Sequence, residues 1–268
     1  MATPSLLLLL ADGRFPAGAH AHSGGLEAAV AAGRVTDLAS LEAFLAGRLA
    51  TAGLVGAAFA AAAHRVAMPE TVGSAHPARS ARPSDAPVGS AVRSDAPVGS
   101  AVRSGALAGS AVRSGALARL DAELDARTAA PALRAVSRRQ GRALLRAGRS
   151  IWSDAPFADL PATPGGAHQP LVLGLLCAAA GLSRVETATI AAYGTLTGAA
   201  SAGVRLLGLD PYQVQTLLVG LADACDGTAA DAARAADDPP ERLPAAAAPL
   251  ADIHAEIHAT WEVRLFAS

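Results

Sequence analysis

The chain contains no lysine, so all 22 of its basic side chains are arginine. Against 23 acidic residues they leave a net charge of −1. There is no basic surplus to grip a phosphate backbone, which removes the electrostatic case for nucleic-acid binding. The all-arginine usage reads as a high-GC codon preference. Aromatic residues make up only 3% of the chain, and β-branched and aromatic runs are scarce, so strands lack their usual formers. Cysteine occurs twice, at Cys177 and Cys225, with no Cys-x-x-Cys spacing. Both lie in apolar helical stretches, and buried free thiols in a reducing cytosol are expected. Long hydrophobic runs are missing too. Leu6–Leu10 lacks a positive leader and is followed at once by Asp12 and Arg14, so it reads as a first core helix, not a signal segment. The alanine-rich stretch 53–63 ends at His64-Arg65 and falls short of a membrane span. The chain has no phosphate loop, no Gly-x-Gly-x-x-Gly before a helix and no Gly-x-Ser-x-Gly elbow. It is not expected to hydrolyse a nucleotide alone.

What remains is rich in alanine, leucine and valine. Alanine is the best helix former, and small side chains let helices approach closely. The fold class expected is all-α, a single-domain bundle of roughly eight to ten helices. The spacing predicts helices over about 4–11, 26–32 with a stop at Gly33, and from Thr36 or Asp37 along the Leu38, Leu41, Phe44, Leu45, Leu49 face. Another is expected at 54–67. Helical pattern resumes near Ala116 with Leu117, Leu120 and Leu124 on one stripe. A long helix follows from Pro131 to Ser150, with Leu133, Val136, Leu144 and Leu145 inward and Arg134, Arg138, Arg139, Arg142 and Arg146 on a solvated face. Further helices are expected at 169–180, from the Ser183-Arg-Val-Glu186 capping box to about Leu206, from Asp210-Pro211 to about Ala235, and at 245–262.

One stretch interrupts this pattern. Ser-Asp-Ala-Pro-Val-Gly-Ser-Ala-Val-Arg fills 84–93 and repeats unchanged at 94–103; a drifted copy fills 104–113, and a fourth begins at Ser114. Each unit has few large apolar groups and places Pro or Gly at several positions, so it buries too little surface to offset chain ordering. Residues 70–115 are read as a disordered low-complexity insertion within one domain spanning 1–268.

The chemistry-bearing residues gather near the two ends. Asp12 to Glu27 packs glycines, a proline, Phe15, His20 and His22 between two apolar segments, as a contact loop does. Ser23 and Glu27 suit the start of the next helix, the first as a cap and the second as a charge favourable to the helix dipole. His168 is read as a loop or cap residue. His254 and His258 stand four residues apart on the last helix, which makes half of a metal site. With no further ligands at metal spacing, a helix-surface pair is the preferred reading, and no metal site is assigned. A metal-dependent enzyme using both histidines is the alternative. The tail Arg264-Leu265-Phe266-Ala267-Ser268 combines apolar anchors with a planar cation, suited to a partner's pocket or to packing on its own subunit.

Phe15-Pro16-Ala17-Gly18 followed by His22-Ser23-Gly24-Gly25-Leu26-Glu27, together with His258 and Arg264-Leu265-Phe266-Ala267-Ser268, resembles the urease accessory protein UreF family. Gln140-Gly141-Arg142, His168-Gln169-Pro170 and Ala202-Gly203-Val204-Arg205-Leu206-Leu207-Gly208 match in the same order. The chain departs from the family pattern in lacking an aromatic near Ala19–Ala21 and in having Leu209-Asp210-Pro211 after Gly208. The resemblance implies a cytoplasmic helical homodimer with no catalysis and no cofactor of its own. It implies binding to a UreD-type (UreH) partner, recruitment of the UreG GTPase, and help in loading nickel into apo-urease, the metal being handled by the complex. Carried over by position as interaction residues are His22, Ser23, Gly25, Leu26, Glu27, Arg205, His258, Arg264, Leu265 and Phe266. An unrelated helical interaction module is the remaining alternative.

Overall fold

The helix signals are realised closely in the computed structural model, which describes residues 4–15, 21–68 and 98–266, with side chains in the last segment from 108 onward. Among these residues there are eleven α-helical segments and no strand, so the all-α expectation holds. The expected turn at Pro16–His20, the insertion up to residue 97 and Ala267-Ser268 lie outside the described residues.

The bundle is built around one rod. Helix α1 (Pro4–Ala11) and the short α2 (Leu26–Ala31) precede it. Asp37 caps α3 (Leu38–Arg48): the Ser40 amide donates to Asp37 Oδ1 at 2.8 Å, and Ser40 Oγ accepts from the Asp37 amide at 3.0 Å. The chain then does not break before the next helix, as the sequence had suggested. A single π-turn, Leu49–Gly53, joins α3 to α4 (Leu54–Ala67). Its wider loop shifts the apolar register, so Leu41, Leu45 and Leu49 face inward before it and Val55 and Ala57–Ala63 after it. By length and composition the 30-residue span Leu38–Ala67 is apolar enough to cross a membrane, which the sequence had not suggested. In the fold it is the core helix, with residues 57–63 sealed on every side.

Close backbone approach explains how alanine fills this core. Helix α7 (Gln169–Ala179) crosses α4 at Gly174, where a Cβ would stand 2.4 Å from the Ala60 carbonyl and 2.7 Å from the His64 amide. His64 is itself buried, with Nε2 2.7 Å from the Leu182 carbonyl. Helix α5 (Val98–Arg127) and α6 (Pro131–Ile151) flank this pair. Helix α8 (Arg184–Leu207) keeps its expected capping box, with the Ser183 amide 2.6 Å from Glu186 Oε2 and the Glu186 amide 3.2 Å from Ser183 Oγ. The small residues of α8 do bring a close neighbour: a Cβ at Gly203 would reach Leu41 at 2.9 Å. The expected single helix 211–235 is instead two, α9 (Pro211–Gly220) and α10 (Ala222–Ala235), broken at Leu221. Helix α11 is Pro249–Ala259. Cys177 and Cys225 are both buried and free; desolvation pushes their thiols up to about 12 and about 11.

Two further expectations need correction. Helix α5 begins at Val98, not near Ala116, and repeat residues from 108 on pack into the bundle. Arg113 Nε donates to the buried Asp159 carboxylate at 2.6 Å and Ser110 Oγ adds a second bond, so repeat residues fasten α5 to the 3₁₀ turn Phe157–Asp159. Arg138 is not on a solvated face. It donates to Asp121 Oδ2 at 3.0 Å, Asp125 Oδ1 at 2.8 Å, Thr163 Oγ1 at 2.9 Å and the Gly166 carbonyl at 2.6 Å. Beside it His168, fully buried, has Nε2 2.9 Å from Asp125 Oδ1 and Nδ1 3.0 Å from Ser137 Oγ, and its amide donates to Asp121 Oδ1 at 3.1 Å. Burial pulls the His168 pKa down, so the neutral tautomer with a proton on Nε2 fits these bonds. This polar knot ties α5, α6 and α7 together.

Candidate functional site

The residues picked out at the two ends of the sequence meet in one place. Gly24 and Gly25 adopt φ of 62° and 88°, a region where only glycine is unstrained. They turn the chain so that Ser23 is buried and its Oγ accepts the Glu27 amide at 3.3 Å, inside the first turn of α2. Leu26 is fully buried, with Cδ2 against Gly203 of α8. The loop therefore points Glu27 inward, at the far end of the chain.

Glu27 is 8% exposed, and its carboxylate is shared among three donors. His258 Nε2 lies 3.0 Å from Oε2, the Phe266 amide donates to Oε2 at 2.9 Å, and the Leu265 amide donates to Oε1 at 2.8 Å. Burial alone works to raise the Glu27 pKa; the Leu265 amide, His258 and the Phe266 amide together outweigh it and hold the group below its ordinary range. His258 is fully buried, and its ring sits 4.6 Å from that of Trp261. Phe266 is buried beneath Arg205, whose guanidinium carbon stands 4.3 Å from the ring centroid, a cation–π arrangement.

The arrangement is a clasp. An ionised carboxylate saturated with donors fixes backbone and has no spare basicity for proton abstraction. Of the ten residues singled out, Glu27, His258, Leu265, Phe266 and Arg205 form the clasp, while Ser23, Gly25 and Leu26 set its geometry. Their side-chain bonds and packing lie within this chain. His22 is half-buried on the rim of an adjacent groove, and Arg264 and Leu265 point outward. His254 also lines the groove, but its neighbour His258 is engaged by Glu27. No three His, Cys, Asp or Glu side chains gather as a metal set among the described residues.

Sequence reasoning missed three parts. Trp261 backs His258. Gly24 has a second duty: a Cβ there would stand 2.9 Å from the Arg48 guanidinium, which donates from Nη1 to the Gly24 carbonyl. The His168 knot was signalled only by Asp121 and Asp125 standing one helical turn apart beside a leucine stripe.

Such a fold, all helix among the described residues with a glycine loop gripping the chain's own tail, defines a helical bundle protein. A sequence model of the UreF family matches residues 35–222. Along its whole length the chain is 37% identical to the full urease accessory protein UreF of Mycolicibacterium vanbaalenii and 39% identical to the full UreF of Mycobacterium marinum. It is 38% identical over 232 residues to the UreF of Mycobacterium tuberculosis strain H37Rv, covering 87% of this chain and 86% of that one. The chain belongs to the UreF family of urease accessory proteins.

Proposed function

We propose that this chain is a non-catalytic scaffold of urease maturation. It takes up a UreD-type (UreH) partner through the segment after α11. The pair then engages the UreG GTPase, so that nickel is loaded into apo-urease. Nickel is cargo of the assembly, and the chain works without a resident cofactor, in the cytoplasm, as a homodimer.

The observation that carries this reading is the posture of the tail. Glu27 fixes the backbone at residues 265 and 266 and Phe266 is locked inward, yet Val263 and Leu265 remain 85% and 73% exposed. Apolar side chains held outward on a fixed backbone lose little further entropy on docking, which suits an anchor. Arg264, exposed between them, offers a planar fork to a partner carboxylate. For the homodimer, α8 offers Val185 and Tyr193, 52% and 44% exposed, beside Gly194 with open space around it.

The test is co-purification from cells expressing the whole urease gene cluster. The full chain brings down the UreD-type partner. Deleting 264–268 abolishes capture, and Leu265→Asp, which leaves the Glu27 bonds intact, reduces it strongly. Undiminished capture by both variants would overturn the proposal, as would turnover of GTP or urea by the purified chain alone.

A further inference from the structure

We propose that the outer face of α6 is a docking surface for an acidic helix of a partner protein. Helix α6 carries six arginines and no aspartate or glutamate in 21 residues. Two of the six are engaged inside the fold. Arg138 sits in the polar knot with Asp121 and Asp125, and Arg134 Nη1 donates to the carbonyls of Thr128 and Ala129 at 2.6 and 2.9 Å. The other four, Arg139, Arg142, Arg146 and Arg149, are exposed. Their spacing of 3, 4 and 3 residues places them on one stripe of the helix. At about 1.5 Å per residue that stripe is about 15 Å long. Like charges at these spacings repel one another, and carboxylates laid along the stripe turn the repulsion into attraction.

Arg142 is held ready for such a contact. Its Nη1 donates to the Gly165 carbonyl. The loop can lie against its stem because Gly165 and Gly166 adopt φ of 89° and 86°, and a Cβ at Gly166 would stand 2.8 Å from Arg142 Cγ. A guanidinium already fixed loses less freedom on pairing. Beside it lies a dent of about 400 Å³, lined by Ala135, Arg139, Arg142 and Pro164 among others, with room for a carboxylate side chain.

Charge and shape select the occupant. The guanidinium fork pairs with any two-oxygen acceptor, carboxylate or phosphate. The adjoining loop 161–166 is uncharged, and the whole chain carries −1, so the positive charge is confined to one narrow line. A nucleic acid calls for a broader basic field. A helix with glutamates three and four residues apart presents its carboxylates on a matching line. None of the tail-clasp residues lies on α6, so this contact is additional to the one proposed for the segment after α11.

The test titrates the full chain into labelled probes at about 0.1 M salt, where the screening length is about 10 Å. Fluorescence anisotropy reads an alanine-rich helical peptide with four glutamates spaced 3, 4 and 3. It also reads a peptide of the same composition with the glutamates scattered around the helix, and a single-stranded RNA. Co-sedimentation reads phosphatidylserine vesicles. The stripe peptide should saturate, and bind more tightly than every other probe. Arg139→Gln, Arg142→Gln and Arg146→Gln should each weaken it by up to about fivefold, Arg142→Gln the most. Replacing all four exposed arginines by glutamine should abolish binding with helical content unchanged, while Arg34→Gln, an exposed arginine elsewhere, leaves it intact. The proposal is overturned if the stripe peptide does not saturate, if the scattered peptide, the RNA or the vesicles bind as tightly, or if binding survives the fourfold replacement.

Discussion

Replacing Glu27 by Gln tests the clasp with almost no change of shape. The carboxylate accepts from His258 Nε2 and from the amides of Leu265 and Phe266. Glutamine keeps one acceptor oxygen and puts an NH₂ group where the other stood, so at least one of the three donors then faces another donor. Hydrogen bonds to a charged acceptor contribute about 1.5–3 kcal/mol each, and a buried donor left unpaired costs a similar amount. A local loss of about 3 kcal/mol follows, which is on the order of a hundredfold in the opening equilibrium. The loss falls on the tail, since α2 and α11 retain their own core contacts. The assay is native-state amide exchange at Leu265 and Phe266, read against a core amide such as Leu175. Both tail amides should exchange on the order of a hundredfold faster in Glu27→Gln while Leu175 is unchanged. Equal protection in the two proteins would refute the clasp. The pH dependence carries a definite sign. The folded pKa of Glu27 is depressed, so its contribution is fully present above the unfolded glutamate value of about 4.3 and is lost as pH falls through the lower folded value. Tail protection should therefore hold at neutral pH and collapse only in acid.

Other expectations are as direct. Arg138→Met leaves Asp121 and Asp125 without their shared cation, which costs about 3–5 kcal/mol for a broken buried pair; a thermal melt should fall by roughly 6–20 °C. Gly174→Ala forces a methyl to within 2.4 Å of the Ala60 carbonyl. It should cost more than a typical overpacking change of about 1–3 kcal/mol, read as loss of soluble folded protein or a sharply lowered melt. Cys177, whose thiol is pushed up to about 12 by burial, should resist iodoacetamide at pH 8 in the native protein and react once the chain is unfolded in denaturant.

Much of this architecture was legible from local rules. Asp37 as one of the two caps offered, the Ser183 capping box, the Asp210-Pro211 start and the stop at Gly33 all read correctly, because caps and left-handed glycines act within a few residues of themselves. The failures were of longer range. Nothing local marks Leu49–Gly53 as a π-turn; the register shift answers the packing of α4 between α7, α8 and α10. Arg138 looked solvated because its partners Asp121, Asp125, Thr163 and Gly166 lie on other segments. The repeat looked too poor in apolar groups to order. Yet from residue 108 on its serines and arginines find Asp159, a partner about 45 residues away. For the site, the loop and the tail were each visible, but their meeting through Glu27 was not. A carboxylate in a first helical turn has an adequate explanation in the helix dipole alone, and that explanation hid the bonds to residues 265 and 266.

The claim on which the account rests is that the glycine loop sets the tail in the posture that the partner reads. The most direct measurement is the affinity of a purified UreD-type protein for the full chain and for Glu27→Gln, a change buried away from the exposed Arg264 and Leu265. The account predicts binding weakened at least tenfold in Glu27→Gln, with the helical content of the two chains the same. Equal affinity would mean that the tail docks without the loop's help, and would contradict it.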